Sequence, residues 1–201
     1  MDARTEILTR IRAATTRREP VTIPRDYDHA LPEGTDVVAL FAERAADYRA
    51  DVRRVGWDVA AGVRAVVRDL GLRSLAVPPG FPADYLSGVD IEVRRDDPPL
   101  GMAELDATDA VITECAAAVA ETGTIVLGPD QGRRAVTLVP DVHLCVVPAD
   151  RVVGAVPELD HAAARLPATW VSGPSATSDI ELQRVEGVHG PRTLVVLLTG
   201  P

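Results

Sequence analysis

A chain of 201 residues that is 46% hydrophobic is long enough for one well-buried domain and short for two. Its net charge is −9, and its 21 basic residues, all arginine, are scattered rather than gathered in a stripe, which excludes nucleic acid as an expected partner. No apolar run approaches the roughly 20 residues that cross a bilayer, and the amino terminus carries acids where a leader would be basic and then apolar, so no membrane partner and a cytoplasmic location are expected.

Ile7, Leu8, Ile11 and Ala14 recur at helical spacing after Asp2, a capping residue, and Pro20 ends the pattern. Residues 19–34 hold three prolines and no period, and read as a surface arm. Thr35 is expected to cap a second helix whose apolar positions are Val37, Val38, Phe41, Ala45 and Tyr48. Residues 1–50 are therefore expected to form a helical arm and appendage, and residues 51–201 the main domain, within one structural unit.

After Val55 helices alternate with short apolar strands. Val59, Val63, Val66, Val67 and Leu70 mark a helix that Gly71 can end. Strands are expected at 74–77, 90–93, 110–113, 123–127, 143–147, 168–171 and 194–198. Strands apolar throughout, separated by crossover segments, predict an α/β domain with a largely parallel sheet covered on both faces. Cys115 and Cys145 lie far apart on or beside apolar runs. A disulfide is therefore not expected, and two thiols fall short of the four that an iron–sulfur cluster takes. His29, His143, His161 and His189 show no metal-ligand spacing, so no metal is expected either. No G-x-G-x-x-G follows a strand, and no cofactor is named by the sequence.

The most informative stretch is Val171-Ser172-Gly173-Pro174-Ser175-Ala176-Thr177-Ser178-Asp179-Ile180-Glu181, followed by Gly187-Val188-His189-Gly190-Pro191. A buried strand is expected to stop at Gly173-Pro174, and Thr177 or Ser178 can cap a short helix through Asp179, Ile180 and Leu182 that Gly187 ends. Backbone N–H and side-chain O–H groups then converge, which suits an anion or carboxylate; the same hydroxyls can equally serve only as caps and turn formers.

This stretch, with Ala120 to Leu127 (AETGTIVL) and Val139 to Val147 (VPDVHLCVV), resembles the LUD-domain family. The resemblance is specific from about Ala110 to the carboxyl terminus and covers the first half only in layout. Ser178-Asp179 departs from the Ala-Asp expected in many relatives. The resemblance implies a three-layer fold similar to ribose-phosphate isomerases, glucosamine-phosphate deaminases, CoA transferases and formyltetrahydrofolate cyclo-ligases. It also implies a component of a bacterial system that oxidises L-lactate to pyruvate beside iron–sulfur partner proteins, this chain being a ligand-binding or assembly subunit. The alternative is a free-standing enzyme of that fold acting on a phosphorylated or CoA-linked molecule or a folate.

In open α/β sheets ligands bind beyond the carboxyl ends of the strands, and three groups are weighed there. They are Glu114; Glu121 with Thr122, Gly123 and Thr124; and Ser172, Gly173, Ser175, Thr177, Asp179, His189 and Gly190. If the strand ends adjoin, two carboxylates, several hydroxyls and an imidazole line one crevice for an anionic ligand. Glu121, if desolvated beside a buried strand, can act as acid, base or nucleophile, as a glutamate does in the CoA transferases of the resembled fold; otherwise it shapes the turn. His189 can serve as acid or base near neutral pH, or hold its loop. Asp130 to Arg134 reads as a solvated loop whose arginines reach an anion only if it folds over the crevice.

Overall fold

The computed structural model of the chain describes residues 2–16, 22–160, 167–177, 185–187 and 189–200. Helix α1 (Ala3–Thr15) starts where Asp2 accepts the Arg4 N–H, and it buries none of its residues. Helix α2 (Val37–Asp47) is capped by Asp36, one residue after the expected Thr35, because the Asp36 carboxylate reaches the Ala39 N–H at 2.9 Å. The Thr35 hydroxyl turns back to the Pro32 carbonyl instead. Unlike α1, helix α2 buries Phe41 and Ala45 in the core.

Strand β1 (Asp51–Gly56) follows, then α3 (Val59–Leu70), ended by Gly71 in the left-handed region as expected. Next come β2 (Ser74–Val77), β3 (Glu92–Arg95), α4 (Met102–Asp106) and β4 (Ala110–Glu114). Then β5 (Ala117–Val119), β6 (Thr124–Leu127), α5 (Arg134–Leu138) and β7 (Val142–Pro148) lead to β8 (Val152–Val153) and β9 (Thr169–Val171). The pair β10 (Ala176–Thr177) and β11 (Val185–Glu186) precedes β12 (Thr193–Thr199).

The central sheet has the order β1-β12-β7-β4-β2-β3 and every pairing in it is parallel. The α/β expectation with a largely parallel sheet holds. Its middle strands are apolar on both faces because both faces are covered. On one face Leu144, Val146, Val195 and Leu197 meet Val59, Val63 and Val66 of α3. On the other, Cys145, Val147, Val196 and Leu198 meet Phe41 and Ala45 of α2 with Ala118, Ile125 and Leu127, while α4 and α5 cover Ala76 and Val111 through Leu105 and Val136. Each fully buried valine or leucine contributes about 1.5–3 kcal/mol, so this double cover is the main source of stability.

Four features differ from the sequence-based expectation. Strand β1 lies at an edge, where Arg53 is paired with Asp51 and Asp69, and its charged sequence hid it. Strand β3, the opposite edge, begins two residues later than expected and is mostly exposed. A second sheet of order β8-β5-β6-β9, in which β6 is antiparallel to both neighbours, was not expected because β5 is an alanine-rich triplet and β8 only two residues. Within it β9 is not a buried strand. It is an edge, with Trp170 48% exposed.

Candidate functional site

A cleft of about 300 Å³ opens where β9 and the Ser172–Ser175 loop approach α5 and the starts of β7 and β12. His143 and Leu194, each the second residue of its strand and directly paired, lie at its inner end. The cleft is therefore at the amino-terminal ends of these parallel strands, not beyond their carboxyl ends as expected. The turn-rich sequence explains how its wall is built. Gly173, with φ of 79°, and Pro174 turn the chain out of β9, and β10 pairs with β11 so that residues 189–191 return beside Ser175. Ser175 closes this wall: its N–H donates to the Pro191 carbonyl at 2.9 Å, its carbonyl accepts from Gly187, and its hydroxyl oxygen accepts the His189 N–H at 3.1 Å. The His189 side chain is exposed at the cleft.

Ser172, Gly173, Ser175, His189 and Gly190 are thus brought together as anticipated. Thr124 joins them indirectly. Its hydroxyl lies 2.8 Å from that of Ser172 and 2.7 Å from that of Thr122, a continuous chain of three hydroxyls from the β5–β6 turn to the cleft. Glu121 sits in the same turn but is exposed, so the desolvation that would have equipped it as an acid or nucleophile is not found. Its N–H donates to the Gly154 carbonyl. Glu114 pairs in register with Val146, three positions beyond His143, roughly 10 Å along the sheet, and is not at the cleft. Thr177 belongs to β10 by its backbone, and Asp179, with the helix expected after Thr177, lies outside the described residues.

Gly123 and Gly173 have a different role from ligand contact. A Cβ on Gly123 would stand 2.6 Å from the Ala45 nitrogen and the Arg44 carbonyl carbon, and one on Gly173 would run into the Tyr48 carbonyl oxygen. Both glycines also have positive φ, 59° and 79°. They let the carboxyl end of α2 lie directly on the loops that carry the hydroxyls.

Three cleft residues stand outside the three groups weighed at the strand ends, although Arg134 belongs to the stretch whose arginines the sequence offers to an anion. Arg134, exposed on α5, lines the cleft and its guanidinium has no ion-pair partner among the described residues. Its neighbour Arg133 is spoken for: it grips Asp96 through two bonds of 2.8 Å and also donates to the Leu100 carbonyl. Burial pushes the Asp96 carboxyl upward, but Arg133 and the Leu100 N–H outweigh it and hold its pKa below the ordinary value. The second residue, His143, is 2% exposed, and its Nε2 lies 2.9 Å from the Thr113 hydroxyl. Burial lowers its pKa to about 4, so at neutral pH it is an uncharged polar group at the inner end of the cleft. The third, Trp170, borders the cleft on edge strand β9; opposite Val126 in register, its half-exposed side chain falls on the sheet face shared with Val126 and Leu159. A polar residue inside the apolar run VHLCVV was the available signal for His143; for Arg134 and Trp170 only the tertiary fold separates them from neighbours.

The cysteines are not at the cleft. Both are fully buried, and burial pushes Cys115 up to about 12 and Cys145 upward as well, which leaves both as unreactive thiols. Among the described residues no group of three or more His, Cys, Asp and Glu is arranged to hold a metal ion, and no helix is long and apolar enough to cross a membrane.

A family model described as the LUD domain matches residues 101–199. The chain is 45% identical to "Lactate utilization protein C" of Deinococcus radiodurans, over 99% of this chain and 96% of that protein. It is 25% identical to the protein of the same name from Halalkalibacterium halodurans, over 90% of this chain and 86% of that one. A crystal structure of a DUF162 family protein from Deinococcus radiodurans superposes with a TM-score of 0.69 at 43% identity, covering 82% of this chain and 97% of that chain.

Proposed function

The chain belongs to the LUD-domain family, and on that premise we propose that it is a component of a bacterial lactate-utilization system, acting as a subunit that binds a small anionic ligand in the cleft beside Arg134. The names of its relatives support the role in lactate utilization. The observation that carries the binding role is Arg134: a guanidinium with no ion-pair partner among the described residues, beside hydroxyls and an imidazole, in a cleft whose described lining contains no carboxylate. An arginine so placed offers a fork of N–H donors to a carboxylate.

Electron transfer in this proposal belongs to iron–sulfur partner proteins. Two cysteines, both buried, do not supply the four thiolates of a cluster, and this chain contributes ligand binding or assembly. An enzymatic role centred on Glu121 draws no support from its exposed position away from the cleft. The test is genetic and physical together. A host lacking this gene is expected to lose growth on L-lactate as sole carbon source, to regain it with the wild-type gene, and to regain it poorly with Arg134→Gln produced at the same level. Undiminished growth of the deletion strain overturns the role in lactate utilization; full rescue by Arg134→Gln overturns the assignment of the cleft.

A further inference from the structure

The lining of the cleft says more about its ligand than that it is anionic. Arg134 supplies one permanent positive charge, and no carboxylate among the described lining residues offsets it. His143 adds no charge at neutral pH, because it is sealed against Thr113 and its imidazolium is disfavoured by burial. A single guanidinium matches a monoanion. A phosphate dianion, with three strong acceptor oxygens, would leave charge and acceptors unmet in a partly desolvated site.

Size and wall chemistry narrow the class further. A three-carbon acid has six heavy atoms; even at the ~30 Å³ that a whole water molecule claims for each, it would leave about 120 Å³ of the 300 Å³ cleft unfilled. Part of the lining is apolar. Leu138, Val171, Pro174, Pro191 and Leu194 furnish apolar wall.

We infer that the cleft takes an organic monocarboxylate with an apolar body larger than a three-carbon acid, its carboxylate on Arg134 and the hydroxyls of Ser172 and Ser175, its body against Leu138, Pro191 and Leu194. This rests on the binding role proposed for the cleft. The ligand is accordingly not the three-carbon substrate of lactate oxidation itself but a larger acid, and phosphorylated and CoA-linked molecules are disfavoured by charge.

Isothermal titration calorimetry reads binding to the cleft directly. Titration at pH 8 with benzoate, 4-methylpentanoate, acetate, L-lactate and inorganic phosphate is expected to give saturable changes for the first two, with acetate, lactate and phosphate at least tenfold weaker. Arg134→Gln is expected to weaken benzoate at least tenfold while the ligand-free melting temperature stays the same, since Arg134 is exposed. Phosphate binding as tightly as benzoate, or acetate and lactate matching it, overturns the inference on ligand class and leaves the cleft as an anion site. Absence of saturable binding by all five, in calorimetry and in thermal shift alike, overturns the binding role and the inference with it.

Discussion

Acidification offers a direct reading of His143. Its imidazole is 2% exposed and its pKa falls from 6.5 to about 4 because burial penalises the charged form. The unfolded chain therefore takes up a proton on this residue first as pH drops, and protonation favours unfolding. The stabilisation from holding His143 neutral is complete above pH 6.5, is lost as pH falls through the window from 6.5 to about 4, and loses nothing more below it. Two and a half pKa units correspond to about 3 kcal/mol in all, of which about 2 kcal/mol is gone by pH 5. Urea unfolding at pH 8 and pH 5, on wild type and on His143→Gln, isolates the effect, since every other titrating group is common to both proteins. Wild type is expected to lose about 2 kcal/mol more than the variant between the two pH values. Equal losses would refute the reasoning, and would mean that the imidazole is solvated well enough at the cleft to accept a proton without penalty.

The two glycines against α2 make a second prediction. Gly173→Ala forces a left-handed residue and a clash with the Tyr48 carbonyl, and is expected to cost at least about 2 kcal/mol in urea unfolding. Gly80→Ala, with φ of 80° but open space around it, should cost only the ~1 kcal/mol of backbone strain; equal effects at the two sites would deny the contact with α2. A third concerns the amino terminus. Removing residues 1–21 should leave unfolding cooperative and shift the melting temperature by less than about 2 °C, since α1 buries nothing, whereas extending the deletion through Thr35 also removes Leu31, which packs on the core. Loss of cooperativity in the shorter deletion would show that α1 belongs to the core.

How much was legible follows from where each residue lies. Strands β2, β4, β7 and β12 are interior to a sheet covered on both faces, so their sequences are predominantly apolar runs and were placed to within a residue or two. Edges obey no such rule: β1 and β3 carry arginines and acids because one side of each faces solvent. The second sheet left almost no pattern, since a triplet and a doublet are too short to show a period of two. At the site, the turn residues announced themselves, and Ser172, Ser175 and His189 do meet at the cleft. Glycines were harder. Gly123 and Gly173 stood in the right loops, but what approaches them is a helix terminus more than seventy residues upstream, and no local pattern reveals a distant neighbour. The same limit applies to the adjacent arginines, of which Arg133 is held by Asp96 while Arg134 is left to the cleft.

The three hydroxyls of Thr122, Thr124 and Ser172 have a directional property that distances alone do not convey. Each O–H in such a chain can point either way, and in both links either oxygen can be the donor. An anion that accepts a proton from Ser172 removes that freedom. Ser172 must then accept from Thr124, and Thr124 from Thr122, so that all three protons align toward the cleft. The turn beside Glu121 thereby registers occupancy of a cleft it does not touch, through the orientation of protons and with no displacement of the backbone.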